Sequence, residues 1–405
     1  MFQDFSIRIG TEFVFGRDAE RQVGVRLAEL GVRTVLVHHD GGAYLGATGL
    51  LGTVRASLRD AGLDIVELGG VRPNPRLALV REGVELAIDR RVDAVLAVGG
   101  GSVIDSAKAI ALGAAAHDVD VWDYFTGKAT PKRTLPVGVV LTVPASGSES
   151  SQVTVINNED EHLKLLVSDP VVRPALAFMN PALSATLPAF PTACGVVDMF
   201  SHICERYFCA DEEFGVIDRM AEGALRTLVD VAPRCLADLT NYECRAQIMW
   251  ISTIAQNNTL GVGRDQDWGT HTIANELSAL YDTPHGATLS IIMGSWMRVA
   301  AERAPLRFAR YAQEVFGIRN ETMSNADMAR RGIEATEVFF RNLGMPTSFA
   351  DADLPTNGVE RMLDNIEFYG SDRAIGSVAR LNRDDCRRVF CLAAGIEPQN
   401  APSGR

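Results

Sequence analysis

Four side chains in the second half of the chain form a candidate set of metal ligands. Asp198 and His202 are four residues apart, which places them on one face of a helix, and His271 and His285 follow. One carboxylate and three imidazoles suit a divalent transition metal and leave room for a substrate oxygen. Each histidine alone fits a core or surface role better than ligation, so the prediction depends on the four residues together.

His285 reaches the other three ligands only if the chain turns back on itself. Fourteen residues of straight helix would separate His271 from His285 by about 21 Å, too far for a shared ion. Pro284 and Gly286, which flank His285, are residue types that interrupt a helix. We therefore predict a helix break before His285.

A glycine-rich turn in the first half of the chain is a candidate phosphate site. The apolar run Ala94–Val98 leads into Gly99, Gly100, Gly101 and Ser102, where a helix is predicted to begin. Glycines let the backbone approach an anion closely, and a helix start directs free N–H groups and its positive dipole end at it. The alternative is that the glycines serve only a tight turn between strand and helix.

Asp40 follows the first predicted strand and precedes Gly41 and Gly42. In dinucleotide folds, an acidic residue at a strand end accepts hydrogen bonds from the ribose 2′-hydroxyl and repels a 2′-phosphate. We assign that role to Asp40, with a simple turn aspartate as the alternative. A metal site and a dinucleotide site on one chain indicate hydride transfer at a metal-bound alcohol or aldehyde.

The periodicity of the sequence changes near residue 188. Before it, amphipathic stretches alternate with five strand candidates: Thr34–Val37, Asp64–Leu68, Ala94–Val98, Val137–Val143 and Ala175–Met179. This alternation predicts a parallel, doubly wound sheet with ligands at the carboxyl ends of its strands. After it, helical periodicity dominates. We predict an α/β dinucleotide-binding domain over residues 1–187 and an all-helical metal-binding and substrate domain over residues 188–405.

Composition excludes some partners. The 405 residues carry a formal net charge of −12, which argues against nucleic acid, because phosphate binding needs a basic surface. No apolar stretch approaches the roughly 18 residues of a membrane span, and the N-terminal residues do not resemble a signal peptide. Seven cysteines without a Cys-x-x-Cys pair indicate reduced thiols in a cytoplasm.

Several motifs together resemble the iron-containing (group III) alcohol dehydrogenases. They are Gly99–Lys108 (GGGSVIDSAK), Gly195–His202 (GVVDMFSH) and His271 with Pro284-His285-Gly286. Gln266–His271 and Val143–Glu149 are most similar to the branch of butanol dehydrogenases and broad-specificity aldehyde reductases. The resemblance, which covers essentially the whole chain, implies a Rossmann-like N-terminal domain, a helical C-terminal domain, a dehydroquinate synthase-like architecture and a homodimer. It also implies Fe²⁺ or Zn²⁺ on four ligands: Asp198, His202, His271 and His285.

The same resemblance implies the residues that hold the nicotinamide cofactor: Asn74, Gly100, Gly101, Ser102, Asp105, Thr142, Ser146 and Lys164. Two departures from the family pattern matter. The aldehyde-reductase branch typically has Tyr-Gly-Gly-Gly-Ser where this chain has His39-Asp40-Gly41-Gly42-Ala43, and the carboxylate favours NAD over NADP. Asn275 stands where the family usually has a proton-relaying histidine, so another group must carry the proton.

The expected reaction interconverts a small primary alcohol and an aldehyde. The alternative is a dehydroquinate synthase-like lyase, or a polyol dehydrogenase, that uses NAD redox chemistry transiently. The lyase chemistry needs Lys and Arg around the metal, and within residues 198–206 and 268–286 only Arg206 is basic, histidines aside. A non-catalytic dinucleotide sensor would not need an open metal site.

Overall fold

A computed structural model of the chain describes residues 3–116, 118–211 and 214–397. Six strands of this part form one parallel sheet in the order β1-β8-β5-β4-β2-β3, and the other two pair as an antiparallel hairpin, β6-β7. The strands are β1 (Glu12–Phe15), β2 (Thr34–His39), β3 (Asp64–Leu68), β4 (Ala94–Gly99), β5 (Val137–Leu141), β6 (Val153–Asn158), β7 (Leu163–Ser168) and β8 (Leu176–Met179).

The centre of the parallel sheet is its most apolar part. Every residue of β4 and β5 is buried, because a parallel sheet is covered by helices on both faces and its central strands must be apolar throughout. The predicted parallel sheet and its five strands are confirmed. The sequence prediction missed β1 and the hairpin, whose strands are short, at an edge or half-exposed.

The helices of the described chain are α1 (Val23–Glu29), α2 (Ala43–Ala47), α3 (Leu50–Asp60), α4 (Leu77–Asp89), α5 (Gly101–Ala114), α6 (Val121–Phe125), α7 (Ala189–Tyr207), α8 (Val216–Ala237), α9 (Tyr242–Gln256), α10 (Gly269–Tyr281), α11 (His285–Ala301), α12 (Pro305–Phe316), α13 (Asn325–Asn342), α14 (Val359–Asn365) and α15 (Arg383–Ala394). None of these helices is long and apolar enough to cross a membrane.

Contacts divide the molecule into two compact units. The α/β unit comprises Arg8–Leu187 and Thr240–Asn257, and the helical unit comprises the rest of the described chain. Helix α9 belongs to the α/β unit, where Thr253 donates a 2.6 Å hydrogen bond to the buried Glu149 and Trp250 packs edge-on against Phe13. The sequence-based domains 1–187 and 188–405 are each one continuous segment, so they do not assign Thr240–Asn257 to the α/β unit. As a division into domains they stay a prediction.

Helices α7 and α11 form the centre of the helical unit. Both are buried almost all round, as expected of helices enclosed by others. The predicted break before His285 is confirmed: α10 ends at Tyr281, Asp282 is left-handed with φ 51°, and α11 begins at His285. At this start, Gly286 packs so closely on α7 that an added Cβ would lie 2.4 Å from the carbonyl oxygen of Cys194.

Gly286→Ala is expected to destabilise the protein by about 1–3 kcal/mol, because the new methyl group forces α11 away from backbone that cannot move independently. The matched control is Gly223→Ala in α8, where an added Cβ meets nothing within 4 Å. This second change should stabilise by about 0.4–1 kcal/mol. Chemical unfolding of both variants tests the pair, and equal effects on the free energy of unfolding would contradict the proposed close contact.

Candidate functional site

The helical unit brings the four predicted metal ligands to one point. Asp198 Oδ1 on α7 lies 3.6 Å from His202 Nε2, 3.6 Å from His271 Nε2 and 3.7 Å from His285 Nε2. The rings of His202 and His271 stack with centroids 4.6 Å apart. Because α7, α10 and α11 each contribute, the cluster exists only in the packed unit.

The donor atoms fit a divalent transition metal. Asp198 Oδ1 and His271 Nε2 are buried and have no hydrogen-bond partner among the described residues. Buried polar atoms are normally paired, and an unpaired carboxylate oxygen facing imidazole nitrogens is the arrangement that a cation satisfies. Asp198, His202 and His271 offer ligand atoms that all lie within 4.8 Å of one another.

Glu205 orients one of the histidines. This fully buried glutamate accepts a 2.9 Å hydrogen bond from the backbone N–H of His271, and its other oxygen contacts His271 Nδ1. A proton held on Nδ1 leaves the lone pair of Nε2 directed at Asp198, which is how carboxylates commonly orient histidine ligands. Sequence analysis missed Glu205, although its spacing of seven and three residues from Asp198 and His202 places all three on one helix face.

The electrostatics of the cluster match a cation site. Burial raises the pKa of Asp198, but the neighbouring histidines lower it more, so its carboxyl group is ionised. Burial lowers the pKa of His202 well below the usual value and keeps that ring neutral, as a ligand must be. At His271, burial also lowers the pKa, but Glu205 and Asp198 outweigh it and raise the value to about 9. The two carboxylates therefore favour positive charge at this ring: a second proton on Nε2 supplies it without a metal, and a cation bound at Nε2 would take the place of that proton.

Trp268 forms one wall beside the histidines. Its ring centroid lies 6.0 Å from that of His202 and 5.6 Å from that of His271, and the Arg206 guanidinium covers it at 4.7 Å. Trp268 is left-handed, with φ 60°, at the start of α10. The preceding Asp267 holds this unusual start in place by accepting the backbone N–H of Gly269 at 2.9 Å.

In the α/β unit, three neighbouring strands end with predicted cofactor residues. Asp40 follows β2, the glycine turn follows β4, and Thr142 follows β5. Strands β2 and β5 flank β4, and the backbone N–H of Thr142 donates to Gly99 at 3.1 Å. Parallel strands end at the same edge of a sheet, so these residues share the edge where such folds bind ligands.

The glycines of the turn allow close packing, and they precede a helix start whose N–H groups have no side-chain cap. An added Cβ would lie 2.8 Å from Val143 at Gly100 and 2.5 Å from Ser146 Oγ at Gly101. Helix α5 begins at Gly101 without a side-chain cap, with Ser102 in its first turn. Both interpretations of the turn therefore stay open. Close packing explains why glycines are needed here, and the uncapped N–H groups can bind an anion.

Asp105 lies inside the protein with both carboxylate oxygens engaged. One accepts from Ser148 Oγ at 2.5 Å and the other from the backbone N–H of Val155 at 3.1 Å. Lys108, one turn later and fully buried, donates to Ser148 Oγ at 2.8 Å and to the Val153 carbonyl at 2.8 Å. These bonds fasten α5 to the hairpin. The cofactor contact assigned to Asp105 stays a prediction, and sequence analysis missed the positioning role of Lys108.

The structure also brings Asn74 and Lys164 together. Lys164 Nζ on β7 donates to Asn74 Oδ1 at 3.1 Å, although 90 residues separate them. Asn74 is left-handed, with φ 57°, in the loop before α4. The backbone N–H of Asn157 on β6 donates to the Pro75 carbonyl at 2.9 Å and holds that loop on the hairpin.

Comparisons with known proteins identify the family that the chain matches. The family model for iron-containing alcohol dehydrogenase matches residues 10–181, and the model for the C-terminal part of the Fe-containing alcohol dehydrogenase family matches residues 192–375. The chain is 37% identical over 388 residues to the probable NADH-dependent butanol dehydrogenase 1 of Bacillus subtilis, covering 96% of this chain and 99% of the relative. It is 34% identical over 389 residues to an NADPH-dependent aldehyde reductase of Escherichia coli, covering 96% and 98%.

Solved structures confirm the predicted fold class. The crystal structure of NADH-dependent butanol dehydrogenase A from Thermotoga maritima matches with a TM-score of 0.90 and 36% identity, covering 97% of this chain and 99% of that one. The likeness includes both the parallel sheet and the helical region.

Glu205→Gln is expected to weaken metal binding by about tenfold to a hundredfold, the range found when a carboxylate behind a histidine ligand is altered. The glutamine amide oxygen can accept from only one of the two His271 N–H groups that Glu205 binds, so the loss reports the missing charge together with one hydrogen bond. The control is Glu321→Gln, a change at an exposed glutamate of the same unit. Metal retained per chain is measured after dialysis against graded chelator. Equal retention in both variants would show that Glu205 does not support the site.

Proposed function

The chain belongs to the iron-containing alcohol dehydrogenase family, and from that premise we propose that Asp198, His202, His271 and His285 hold a metal at which a primary alcohol and an aldehyde are interconverted. Hydride passes to or from a nicotinamide cofactor. The observation that carries the proposal is the position of Asp198 Oδ1, buried without a hydrogen-bond partner and 3.6–3.7 Å from three imidazole nitrogens.

Bound there, a divalent metal supplies Lewis-acid polarisation of the alcohol or carbonyl oxygen, and the nicotinamide supplies or accepts the hydride. The protein contributes orientation and charge. Glu205 holds His271 with Nε2 directed at Asp198, and Trp268 shields the imidazoles on one side. The uncapped start of α5 directs backbone N–H groups at a diphosphate. No nucleophilic side chain is needed.

We propose Fe²⁺ or Zn²⁺ as the metal and NAD in preference to NADP. Nitrogen and carboxylate donors serve both metals, and the name of the family favours iron. The cofactor preference rests on Asp40, whose carboxylate stands at the end of β2 where it would repel a 2′-phosphate. Relatives are named for either cofactor, so this side chain rather than family membership supports the preference.

Proton transfer in this chain must differ from the usual family pattern. Asn275, four residues after His271 on α10, is exposed and its amide does not titrate near neutral pH. The proton released from the alcohol would therefore leave through solvent, a ribose hydroxyl of the cofactor or another side chain.

We further propose a cytoplasmic homodimer. The dimer rests on the resemblance to the family. The location is supported by the cysteines, all seven of which lie in the described chain without forming a disulfide.

The purified protein is expected to consume NADH with short aldehydes only when Fe²⁺ or Zn²⁺ is supplied, measured as loss of NADH absorbance. His285→Ala should lower kcat/KM by at least about a hundredfold, because it removes a ligand. The control is His162→Ala, a change at an exposed histidine outside the cluster. If NADH stays unconsumed across a broad aldehyde panel with either metal, the proposal fails.

Asp40→Ser is expected to shift the preference from NADH toward NADPH by about tenfold or more in the ratio of kcat/KM values. The substitution removes a charge that repels the 2′-phosphate and adds a hydroxyl that can donate to it. Asp60→Ser, at an exposed aspartate at the end of α3, is the control. If the ratio is unchanged in the Asp40 variant, Asp40 does not determine the choice between NADH and NADPH.

A further inference from the structure

A tyrosine links the two cofactor residues on either side of the glycine turn. The hydroxyl of Tyr44, in α2, lies 3.3 Å from Asp40 Oδ2 and 3.4 Å from Thr142 Oγ1. Asp40 follows β2 and Thr142 follows β5, and these strands flank β4 on its two sides. The Tyr44 hydroxyl therefore bridges the carboxyl end of β4, beside the glycine turn.

The direction of the hydrogen bonds follows from the groups themselves. An ionised carboxylate only accepts, so the single proton of the Tyr44 hydroxyl is donated to Asp40. The Tyr44 oxygen can then accept from the hydroxyl of Thr142, which completes a chain from Thr142 through Tyr44 to Asp40. Burial raises the pKa of Tyr44 to about 12, so the phenol keeps its proton and this direction at neutral pH.

Both oxygens of Asp40 are consequently held. Oδ1 accepts the backbone N–H of Gly42 at 2.8 Å, and Oδ2 accepts from Tyr44. A carboxylate offers about four lone-pair positions, so two remain. The aromatic ring also lies against the turn, where a Cβ on Gly42 would come within 2.8 Å of it. A small residue at Gly42 and a large ring at Tyr44 together fix the carboxylate in one orientation.

We propose that Tyr44 is a specificity-determining residue that acts through Asp40: it holds the carboxylate so that its two remaining lone-pair positions accept the hydroxyls of an unphosphorylated ribose. This inference rests on the proposed function, since it assumes a dinucleotide at the glycine turn. A fixed carboxylate cannot rotate away from a 2′-phosphate. The phosphate is an anion, so the carboxylate repels it, and it is an acceptor, so the carboxylate has no proton to donate to it. A carboxylate held on one oxygen alone can rotate and tolerate the phosphate.

The test is a double-mutant cycle on cofactor choice. Tyr44→Phe is made in the wild-type and Asp40→Asn backgrounds, and the ratio of kcat/KM for NADH to that for NADPH is measured in the metal-loaded enzyme. Tyr124→Phe, at a buried tyrosine of the same unit that lies on α6, is the matched control. Tyr44→Phe should lower the ratio about fivefold in the wild type, the effect of one ordinary hydrogen bond, and by less than about twofold with Asn at position 40.

Two outcomes overturn the proposal. If the ratio is unchanged in Tyr44→Phe, Tyr44 does not affect the choice of cofactor. If the ratio falls equally in the wild-type and Asp40→Asn backgrounds, Tyr44 does not act through Asp40.

A binding measurement keeps the inference separate from the proposed reaction. Calorimetry compares 5′-AMP with 2′,5′-ADP, which differ only in the 2′-phosphate, on the wild type and on Tyr44→Phe, whose thermal unfolding is checked in parallel. The variant should bind 2′,5′-ADP relatively better by about fivefold. If this preference shifts while aldehyde reduction is absent, the proposed reaction fails and the role of Tyr44 stands. If aldehydes are reduced and the preference does not shift, the proposed reaction stands and the role of Tyr44 fails.

Discussion

A buried carboxylate that faces three imidazoles is the constraint on which the helical unit depends. Removing an ionised group from water is costly unless an opposite charge compensates it, and Asp198 is buried on α7 without a hydrogen-bond partner for Oδ1 among the described residues. The positions of α10 and α11 follow from this requirement, because each must bring a histidine to the same oxygen. The left-handed residues at both ends of α10, Trp268 and Asp282, are local departures from regular backbone that make this possible.

The α/β unit meets a different constraint under the proposed function, because backbone N–H groups would have to bind the diphosphate of the cofactor. Parallel strands deliver their ends to one edge, and the start of α5 provides N–H groups there. The buried Lys108 and the neighbouring Asp105 join α5 to the hairpin through Val153 and Val155. Both also bond to Ser148, which holds the loop that follows β5 against α5.

Residues that sequence analysis found and residues that it missed differ in a physical way. Asp198, His202, His271 and His285 were recognisable because metal chemistry restricts the residue types that serve it and their spacing fits one site. The missed residues contact partners that are distant in the chain. Glu205 contacts a residue 66 positions away, and Lys108 contacts residues 40 and 45 positions away. Tyr44 contacts the nearby Asp40 and also Thr142, 98 positions away. Glutamate, lysine and tyrosine side chains usually face solvent or fill a core, so their type alone does not indicate a role at a site. No local pattern distinguishes them.

By itself, the amino-acid sequence determined the strand–helix alternation, the parallel sheet, the helix break before His285 and the types of the candidate ligands. Each follows from local periodicity, backbone preference or donor chemistry. Tertiary structure alone decided which oxygen the histidines meet, that Asp105 turns inward, that α9 packs with the α/β unit, and that Tyr44 joins Asp40 to Thr142. These outcomes depend on the packing of segments far apart in the chain, where a shift of one or two ångströms makes or breaks a hydrogen bond and no short-range preference sets the distance.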